Sequence, residues 1–143
     1  MNNRRLPHGY TNETWADGAS VWKHYVGFDG ERRMLRELEA IEAVGSVVPT
    51  PKVLSVDRRS RRVEFARVVG HAGQDLIDQG HAGNVMRAAG RTLAALHAFT
   101  DVQMTHGDYG PQNLLLDASG EAVVLVADWE FSFSASDPLS DLA

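Results

Sequence analysis

The chain has 143 residues, of which 43% are hydrophobic and 23% charged, and its formal net charge is −5. This length corresponds to one domain with a sizeable core, and no apolar run is long enough for a membrane span. Cysteine is absent, which excludes a disulfide framework and cysteine-based metal sites. The polar start, residues 1–5, lacks the apolar core of a signal peptide. We therefore expect a cytoplasmic protein that binds no membrane and no nucleic acid.

Charge is divided unevenly along the chain. Residues 1–70 hold 12 Lys/Arg and 9 Asp/Glu, a balance of +3, whereas residues 71–143 hold 2 and 10, a balance of −8. Two interpretations are open. In the first interpretation, the basic half binds phosphates and the acidic half binds metal. In the second, a solvated basic turn at residues 58–62 accounts by itself for the excess positive charge of the first half.

The first predicted elements are two strands and a helix. Residues 6–25 carry short apolar and aromatic runs around Asp17-Gly18, a dipeptide typical of a β-hairpin turn. A helix is predicted over residues 29–44, because Asp29 is a good cap and apolar residues recur at i, i+3 and i+4. Gly45 is a plausible helix stop.

The middle of the chain predicts a second hairpin, a connector and a second helix. Residues 53–69 form the hairpin, with its turn at residues 57–60. Residues 70–83 are rich in Gly, Asp and Gln and form the connector between the two halves, with a short helical piece near residues 75–79. Residues 84–99 repeat apolar positions on one helical face. A strand, a turn and a strand then follow. By pattern alone this order of elements is α+β.

Three short motifs near the C-terminus carry chemistry. His106-Gly107-Asp108 is followed by Asn113, five residues after Asp108, and an apolar run then leads to Asp128-Trp129-Glu130. Phosphoryl transfer needs a carboxylate that receives or orients a hydroxyl proton, and oxygen ligands for Mg²⁺. An Asp and an Asn on one loop, with a second Asp after a strand, supply these groups. Asp108 alone could be a turn residue and Asp128 a strand-end acid, but their joint spacing favours catalysis.

These motifs resemble those of the aminoglycoside phosphotransferase and choline-kinase-like family, whose catalytic loop reads HGDxxxxN and whose metal motif reads DW or DF. The family's DPxxDLA run has a counterpart at residues 137–143, where Asp137 and Asp141 are expected to brace the catalytic loop or begin a helix. The resemblance implies an α+β, protein-kinase-like two-lobe fold. Its β-rich N-lobe would cover residues 1–70, and an abbreviated, truncated helical C-lobe would cover residues 71–143.

The resemblance also implies roles at the catalytic loop. Asp108 acts on the acceptor hydroxyl, Asn113 takes part in catalysis and binds metal through its amide oxygen, and Asp128 is the second metal ligand. His106 is expected to hold the loop in place. Glu130 is expected to be a surface charge rather than a further ligand.

In the first half, the resemblance assigns Lys23 to the strand lysine that pairs with the α- and β-phosphates of a nucleotide. Glu37 corresponds to the helix glutamate that holds this lysine, and Glu39 is its rival because the sequence leaves the helical phase open. A lysine on a strand is usually solvent-facing, so Lys23 by itself is a weak indication of a phosphate contact. The amphipathic helix that follows and carries Glu37 strengthens the assignment.

Two further segments are assigned to the nucleotide. Residues 9–14 are similar to the family's Gly-x-Ser-Asn-x-Thr loop, which makes Asn12 a phosphate contact, although one glycine without GxGxxG is a weak motif. Residues 65–68 align with the adenine-binding hinge, where Ala66 and Val68 present backbone groups to the base.

The chain is shorter than members of this family generally are. Six residues, 100–105, stand where the family inserts helices, and the family's C-terminal helices do not follow Ala143. A shortened member would leave apolar surface uncovered, for which the candidates are Leu93, Leu96, Phe99, Phe131 and Phe133. We therefore expect the protein to self-associate as a homo-oligomer.

The sequence thus predicts a transferase, namely a kinase that uses ATP (or GTP) and Mg²⁺ to phosphorylate a hydroxyl of a small molecule. The acidic second half is compatible with a cationic acceptor such as an amino sugar or amino alcohol. The alternative is a non-catalytic nucleotide-binding module of kinase-like fold, favoured by the missing acceptor region. A protein kinase is disfavoured, because HGD and DW differ from the HRD and DFG motifs of protein kinases.

Overall fold

The computed structural model describes residues 4–5, 12–98, 104–134 and 141. Within these ranges no helix combines the length and the apolar character needed to cross a bilayer.

Backbone contacts divide the chain into two compact units. The first consists of Met1–Leu35 and Pro51–Arg67, and the second of Arg36–Thr50 and Val68–Ala143. This differs from the predicted division at residue 70 at two places, because residues 36–50 and 68–70 group with the second unit.

The first unit contains a five-stranded antiparallel sheet. Its strand order is β1-β2-β3-β5-β4, with β1 over Arg4–Arg5, β2 over Asn12–Asp17, β3 over Ser20–Tyr25, β4 over Val53–Asp57 and β5 over Arg62–Ala66. Both predicted hairpins are present, and Gly18 takes a left-handed φ of 55° in the first turn. The second hairpin is shorter than predicted, since β5 ends at Ala66 and not at Val69.

The two faces of this sheet differ in burial. Side chains of successive strand residues point to opposite faces. One face forms the apolar core of the unit and includes the buried residues Ala16, Tyr25, Val63 and Phe65. The opposite face is partly exposed and carries Trp15 and Trp22, which lie directly across from each other on β2 and β3.

Helix α1 covers Gly30–Val44, which agrees with the helix predicted over residues 29–44. It ends where the Gly45 N–H donates to the Ile41 carbonyl. Gly30 is required at the start, because a Cβ at this position would lie 2.4 Å from the Tyr25 carbonyl oxygen. The buried apolar residues of α1 are Met34, Ala40, Ile41 and Val44.

The second unit contains two further helices. Helix α2 covers Gly73–Leu76, a π-helical turn covers Ile77–His81, and helix α3 covers Ala82–His97. The chain bends within this run at Gly80, whose φ is 97°. The predicted helical piece near residues 75–79 lies within this run, which begins earlier, at Gly73, and continues into α3.

Short strands complete the second unit. They are β6 (His71–Ala72), β7 (Met104–Thr105), β8 (Leu114–Leu116), β9 (Val123–Val126) and β10 (Phe133–Ser134). Antiparallel pairing gives a three-stranded sheet of order β6-β8-β9 and a two-stranded sheet of β10 and β7. A 3₁₀ turn at Pro111–Asn113 leads directly into β8. The predicted strand–turn–strand is thus present.

The expected uncovered apolar surface is found only in part among the described residues. Leu93 and Leu96 are 7% and 1% exposed, so the expectation for these two residues is wrong: they pack in the core of the second unit. Phe131 and Phe133 are 39% and 40% exposed, as expected. Phe99 lies outside the described residues.

The contact between Gly30 and the Tyr25 carbonyl generates a stability prediction. Gly30→Ala should lower the free energy of unfolding by about 1–3 kcal/mol, because the added methyl group meets backbone that cannot easily move. Gly90→Ala is the matched control. Nothing lies within 4 Å of a Cβ at this helical position, so the substitution should stabilise by about 0.5–1 kcal/mol. Urea unfolding of both variants checks the pair, and equal effects would contradict it.

Candidate active site

The register of β8 and β9 positions two of the predicted site segments. Leu114 pairs with Val126, and the Ala127 N–H donates to the Asn113 carbonyl at 2.9 Å. Asn113 therefore lies beside the residue that precedes Asp128. The sheet brings the end of the catalytic loop next to the start of the metal motif.

Asp108 and Asn113 are joined by hydrogen bonds within the loop. The Asn113 Nδ2 donates to the Asp108 carbonyl oxygen at 2.8 Å and to its Oδ2 at 3.1 Å. Asn113 is buried and Asp108 is exposed. Since the amide nitrogen is used by Asp108, the Asn113 Oδ1 is the atom that remains for a ligand. The two residues are thus oriented together, with Asp108 at an exposed position of the loop.

His106 links the loop to the end of β9. Its Nε2 lies 2.8 Å from the Ala127 carbonyl oxygen, and its Nδ1 accepts from the Asp108 N–H at 3.2 Å. These partners assign the neutral tautomer with hydrogen on Nε2. Burial lowers the pKa of His106 below its ordinary value, against the opposing effects of the Ala127 carbonyl and nearby carboxylates. The expected supporting role of His106 agrees with these contacts.

Asp141 holds the start of the same loop. Its Oδ2 accepts from the His106 N–H and its Oδ1 from the Gly107 N–H, both at 2.9 Å. His97, the last residue of α3, places Nε2 3.0 Å from Oδ2. The Asp141 side chain is fully buried, so these partners replace the water that the carboxylate loses. Asp141 therefore braces the loop, one of its two expected roles, whereas Asp137 lies outside the described residues.

Gly107 of the HGD motif and Tyr109, to which the sequence assigned no role, also restrict the loop backbone. Gly107 has a left-handed φ of 87°, and a Cβ there would lie 2.2 Å from the Phe131 carbonyl oxygen. The Tyr109 hydroxyl donates to the Ala89 carbonyl of α3 at 2.7 Å, and burial raises the pKa of this phenol. The glycine of HGD could have been recognised as a conformational requirement. The Tyr109 contact has no signal in the sequence.

The metal motif begins with an unusual backbone conformation. Asp128 has a φ of 62°, in the left-handed region that few residues other than glycine adopt. Trp129 follows and is completely buried, with Nε1 donating to the Val126 carbonyl at 2.8 Å and its ring centroid 4.6 Å from that of His106. The packed indole thereby fixes the backbone around Asp128.

The structure distinguishes between the acids near this motif. Glu37 is 1% exposed and its Oε1 accepts from the Trp129 N–H at 3.3 Å, whereas Glu39 is exposed. The helical phase thus selects Glu37 as the interior residue. Glu130 is 4% exposed, so its expected place at the surface is wrong: the turn after Trp129 carries this side chain inward.

The oxygen atoms at the loop and the metal motif fit Mg²⁺. Asn113 offers an amide oxygen and Asp128 a carboxylate, which are the hard ligands that this ion prefers. Within the described residues no three His, Cys, Asp or Glu side chains cluster as a metal site. One or two protein ligands are nevertheless typical for Mg²⁺, since phosphate oxygens and water complete its shell.

Lys23 and Ala66, two of the predicted nucleotide residues, lie on strands of the first unit, whereas Val68 belongs to the second unit. Lys23 lies on β3, is 5% exposed, and places Nζ 5.0 Å from the centroid of the Tyr25 ring. The solvent-facing alternative for Lys23 is therefore wrong. Ala66 ends β5, where its N–H donates to the Lys52 carbonyl at 2.9 Å. Val68 follows β5 and is partly buried. The nucleotide contacts of these residues stay predictions.

Asn12 is the first residue of β2 rather than part of a loop, and residues 9–11 lie outside the described residues. Its Oδ1 accepts from the Arg33 Nη1 at 2.6 Å. Arg33 also donates to the Val26 carbonyl and forms an ion pair with Asp29 at 3.1 Å. This buried guanidinium, which the sequence did not reveal, anchors the start of β2 to α1. The phosphate contact of Asn12 stays a prediction.

An antiparallel sheet with one helix, followed by a helix, a loop and a short hairpin, defines a protein-kinase-like α+β fold. Solved structures share it. The chain matches the streptomycin–ATP–APH(2'')-IIa ternary complex with a TM-score of 0.75 at 12% identity, over 99% of this chain and 69% of that one. The chain also matches a choline/ethanolamine kinase family protein from Mesorhizobium loti with a TM-score of 0.77 at 18% identity, over 99% of this chain and 62% of that one.

A third similar structure is aminoglycoside phosphotransferase APH(4)-Ia in a ternary complex with AMP-PNP and hygromycin B. It has a TM-score of 0.74 and 15% identity, over 99% of this chain and 70% of that one. At these identities the likeness establishes the fold, and the predicted kinase-like fold is confirmed. No protein-family model and no curated protein matches the sequence.

The three contacts of Asp141 generate a prediction about loop rigidity. Asp141→Asn should lower the free energy of unfolding by about 1–3 kcal/mol, because an amide cannot accept from both backbone N–H groups and His97 at once. Hydrogen exchange at the His106 and Gly107 amides should become faster than elsewhere in the second unit. Asp75→Asn, at an exposed position of α2, is the matched control. Unchanged exchange at both amides would contradict the bracing role.

The lowered pKa of His106 generates a pH prediction. At pH values below about 6.5, the ordinary pKa of a histidine, His106 is protonated in the unfolded chain but stays neutral in the folded chain. The folded state therefore loses stability as the pH falls from about 7.5 to 5.5. The slope from one such group is at most about 1.4 kcal/mol per pH unit. His106→Gln should therefore cost less stability at pH 5.5 than at pH 7.5. Urea unfolding in metal-free buffer measures this, with exposed His71→Gln as control.

Proposed function

We propose that this chain is a phosphotransferase that uses ATP or GTP with Mg²⁺ to phosphorylate a hydroxyl of a small molecule. One observation carries the proposal. An exposed carboxylate, Asp108, is tied to Asn113 on one loop, and the β8–β9 register sets Asn113 beside the segment that carries Asp128. A kinase-like fold by itself hosts many functions, so the proposed function depends on this set of side chains.

Asp108 is the group that acts on the acceptor. The Asn113 amide donates to its Oδ2 and thereby directs the carboxylate, which leaves Oδ1 to accept from a substrate hydroxyl. A carboxylate in this position accepts or orients the hydroxyl proton, which speeds proton transfer by about 10²–10⁴-fold. His106 and Asp141 support Asp108 through the loop backbone and do not touch the substrate.

Asn113 and Asp128 would hold the metal through the Asn113 Oδ1 and the Asp128 carboxylate. When bound, Mg²⁺ neutralises negative charge on the phosphates. In this proposal Lys23, oriented by Glu37, binds the α- and β-phosphates, and Asn12 contacts a phosphate. Ala66 and Val68 present backbone groups to the base.

We further propose a cationic acceptor such as an amino sugar or amino alcohol. The charge balance of −8 over residues 71–143 supports a cation. Structures of the same fold include complexes with streptomycin and with hygromycin B, and a choline/ethanolamine kinase family protein. A cytoplasmic location and self-association remain predictions.

Nucleotide binding is the first test. Isothermal titration with ATP and Mg²⁺ should give saturable binding to wild type. Asp128→Asn should weaken binding at least tenfold by removing a metal ligand, and Asp108→Asn should leave it unchanged. Glu121→Gln, an exposed acid in the β8–β9 turn, is the control. A wild type that binds no nucleotide would overturn the proposal.

Turnover is the second test and separates an enzyme from a non-catalytic nucleotide-binding module. Wild type should release ADP in the presence of at least one member of a panel of amino sugars and amino alcohols. Asp108→Asn should lower kcat by about 10²–10⁴-fold at unchanged KM for ATP. Nucleotide binding without turnover on the panel would favour the module.

A further inference from the structure

A cleft of about 410 Å³ lies in the first unit and is lined by Trp15, Asp17, Trp22 and Arg62. We call it the tryptophan cleft. The cleft opens on the partly exposed face of the five-stranded sheet. Its lining residues have no role in the proposed phosphotransferase. Its volume falls within the range of about 300–1,000 Å³ that is usual for small-molecule sites.

The strand register explains the shape of the cleft. Trp15 and Trp22 face each other on β2 and β3 and form its floor. Asp17 lies two residues further along β2, at the hairpin end, so it shares this face. Arg62 pairs with His24 at the opposite end of β3. The floor is thus aromatic, with an acid at one end and a guanidinium at the other.

The floor is held in place by neighbouring side chains. The His24 ring stacks on Trp15 with centroids 6.4 Å apart and planes 14° apart, and Glu13 holds His24 at 3.2 Å. The Arg62 guanidinium lies 5.9 Å from the Trp15 ring. Trp15 is therefore preorganised, which reduces the entropy lost when a ligand binds.

The polar groups of this face divide into two sets. Glu64 accepts from Ser20 at 2.6 Å and from Ser55 at 2.9 Å, so its carboxylate is occupied within the sheet. Among the described residues Asp17 and Arg62 form no ion pair within 4.0 Å. Hydrogen bonds from Ser60 and, to a smaller extent, the charge of Arg62 lower the pKa of Asp57, which lies across from Arg62 on β4. Asp17 therefore offers an acceptor to a ligand at one end of the floor, and Arg62, which also lies near the Trp15 ring, offers N–H donors at the other.

The chemistry of the lining favours a ligand without net charge. A phosphate or other anion is repelled by Asp17, and a cation is repelled by Arg62. A neutral polyhydroxylated ring satisfies both, because a hydroxyl donates to the carboxylate and accepts from the guanidinium. The C–H face of such a ring is weakly positive and meets the negative face of an indole.

We propose that the tryptophan cleft is a binding site for a neutral saccharide of one or two pyranose rings, stacked on Trp15 and Trp22 and hydrogen-bonded by Asp17 and Arg62. This inference is independent of the proposed phosphotransferase function, since it concerns other residues and a ligand without phosphate.

The indole resonances of the ¹⁵N-labelled protein test it. The chain has three tryptophans, of which Trp129 is completely buried and serves as an internal control. Titration with maltose, cellobiose and N,N'-diacetylchitobiose to 20 mM should shift the Trp15 and Trp22 signals saturably with at least one disaccharide, and leave Trp129 unmoved.

Variants connect the shifts to the cleft. Trp22→Ala and Arg62→Ala should each weaken saccharide binding at least fivefold, and dispersed backbone amide signals of β2, β3 and β5 report that the first unit folds. Phe28→Ala, at a fully exposed aromatic residue outside the cleft, should bind as wild type. Absence of saturable shifts with all three disaccharides, or equal binding by Arg62→Ala, overturns the proposal. Saturation instead by phenylalanine or inorganic phosphate overturns the saccharide assignment.

Discussion

The neutral imidazole of His106 is the interaction on which the candidate site depends. It contacts the catalytic loop with one ring nitrogen and the end of β9 with the other. A protonated imidazole could not accept from the Asp108 N–H, so burial, which disfavours the charge, also preserves the contact. The indole of Trp129 covers the ring and excludes water from it. The loop and the metal motif therefore keep a fixed mutual position.

Buried charged groups brace the backbone in both units. Asp141 receives two backbone N–H groups and His97, and Arg33 contacts Asn12, Asp29 and the Val26 carbonyl. Burying such a group is costly unless its hydrogen bonds are satisfied, and each of these groups meets several partners. The partners of Asp141 lie 34 to 44 residues away in sequence, and Asn12 lies 21 residues from Arg33. Such groups hold irregular loops in single conformations, because any displacement leaves a buried charge without its partners.

The register of β8 and β9 likewise holds the segments of Asn113 and Asp128 in one position relative to each other. A slip of one residue between β8 and β9 would turn the strand side chains to the opposite face and separate these two residues. The left-handed conformation of Asp128 is compatible with this pairing because the packed indole of Trp129 follows it directly. Identities of 12–18% with structures of the same fold show that the backbone plan tolerates nearly complete replacement of the sequence.

The sequence by itself determined the hairpins, α1 and α3 to within two or three residues, and the spacing of Asp108, Asn113 and Asp128. These features depend on local periodicity and on residues close in the chain. The tertiary structure alone decided that Glu37 and Glu130 are buried, that Asn12 lies in a strand, and that Leu93 and Leu96 are covered. It also revealed the contacts of His97, Tyr109 and Arg33. Such contacts join residues up to 44 positions apart, and packing between distant segments leaves no periodic signal in the sequence.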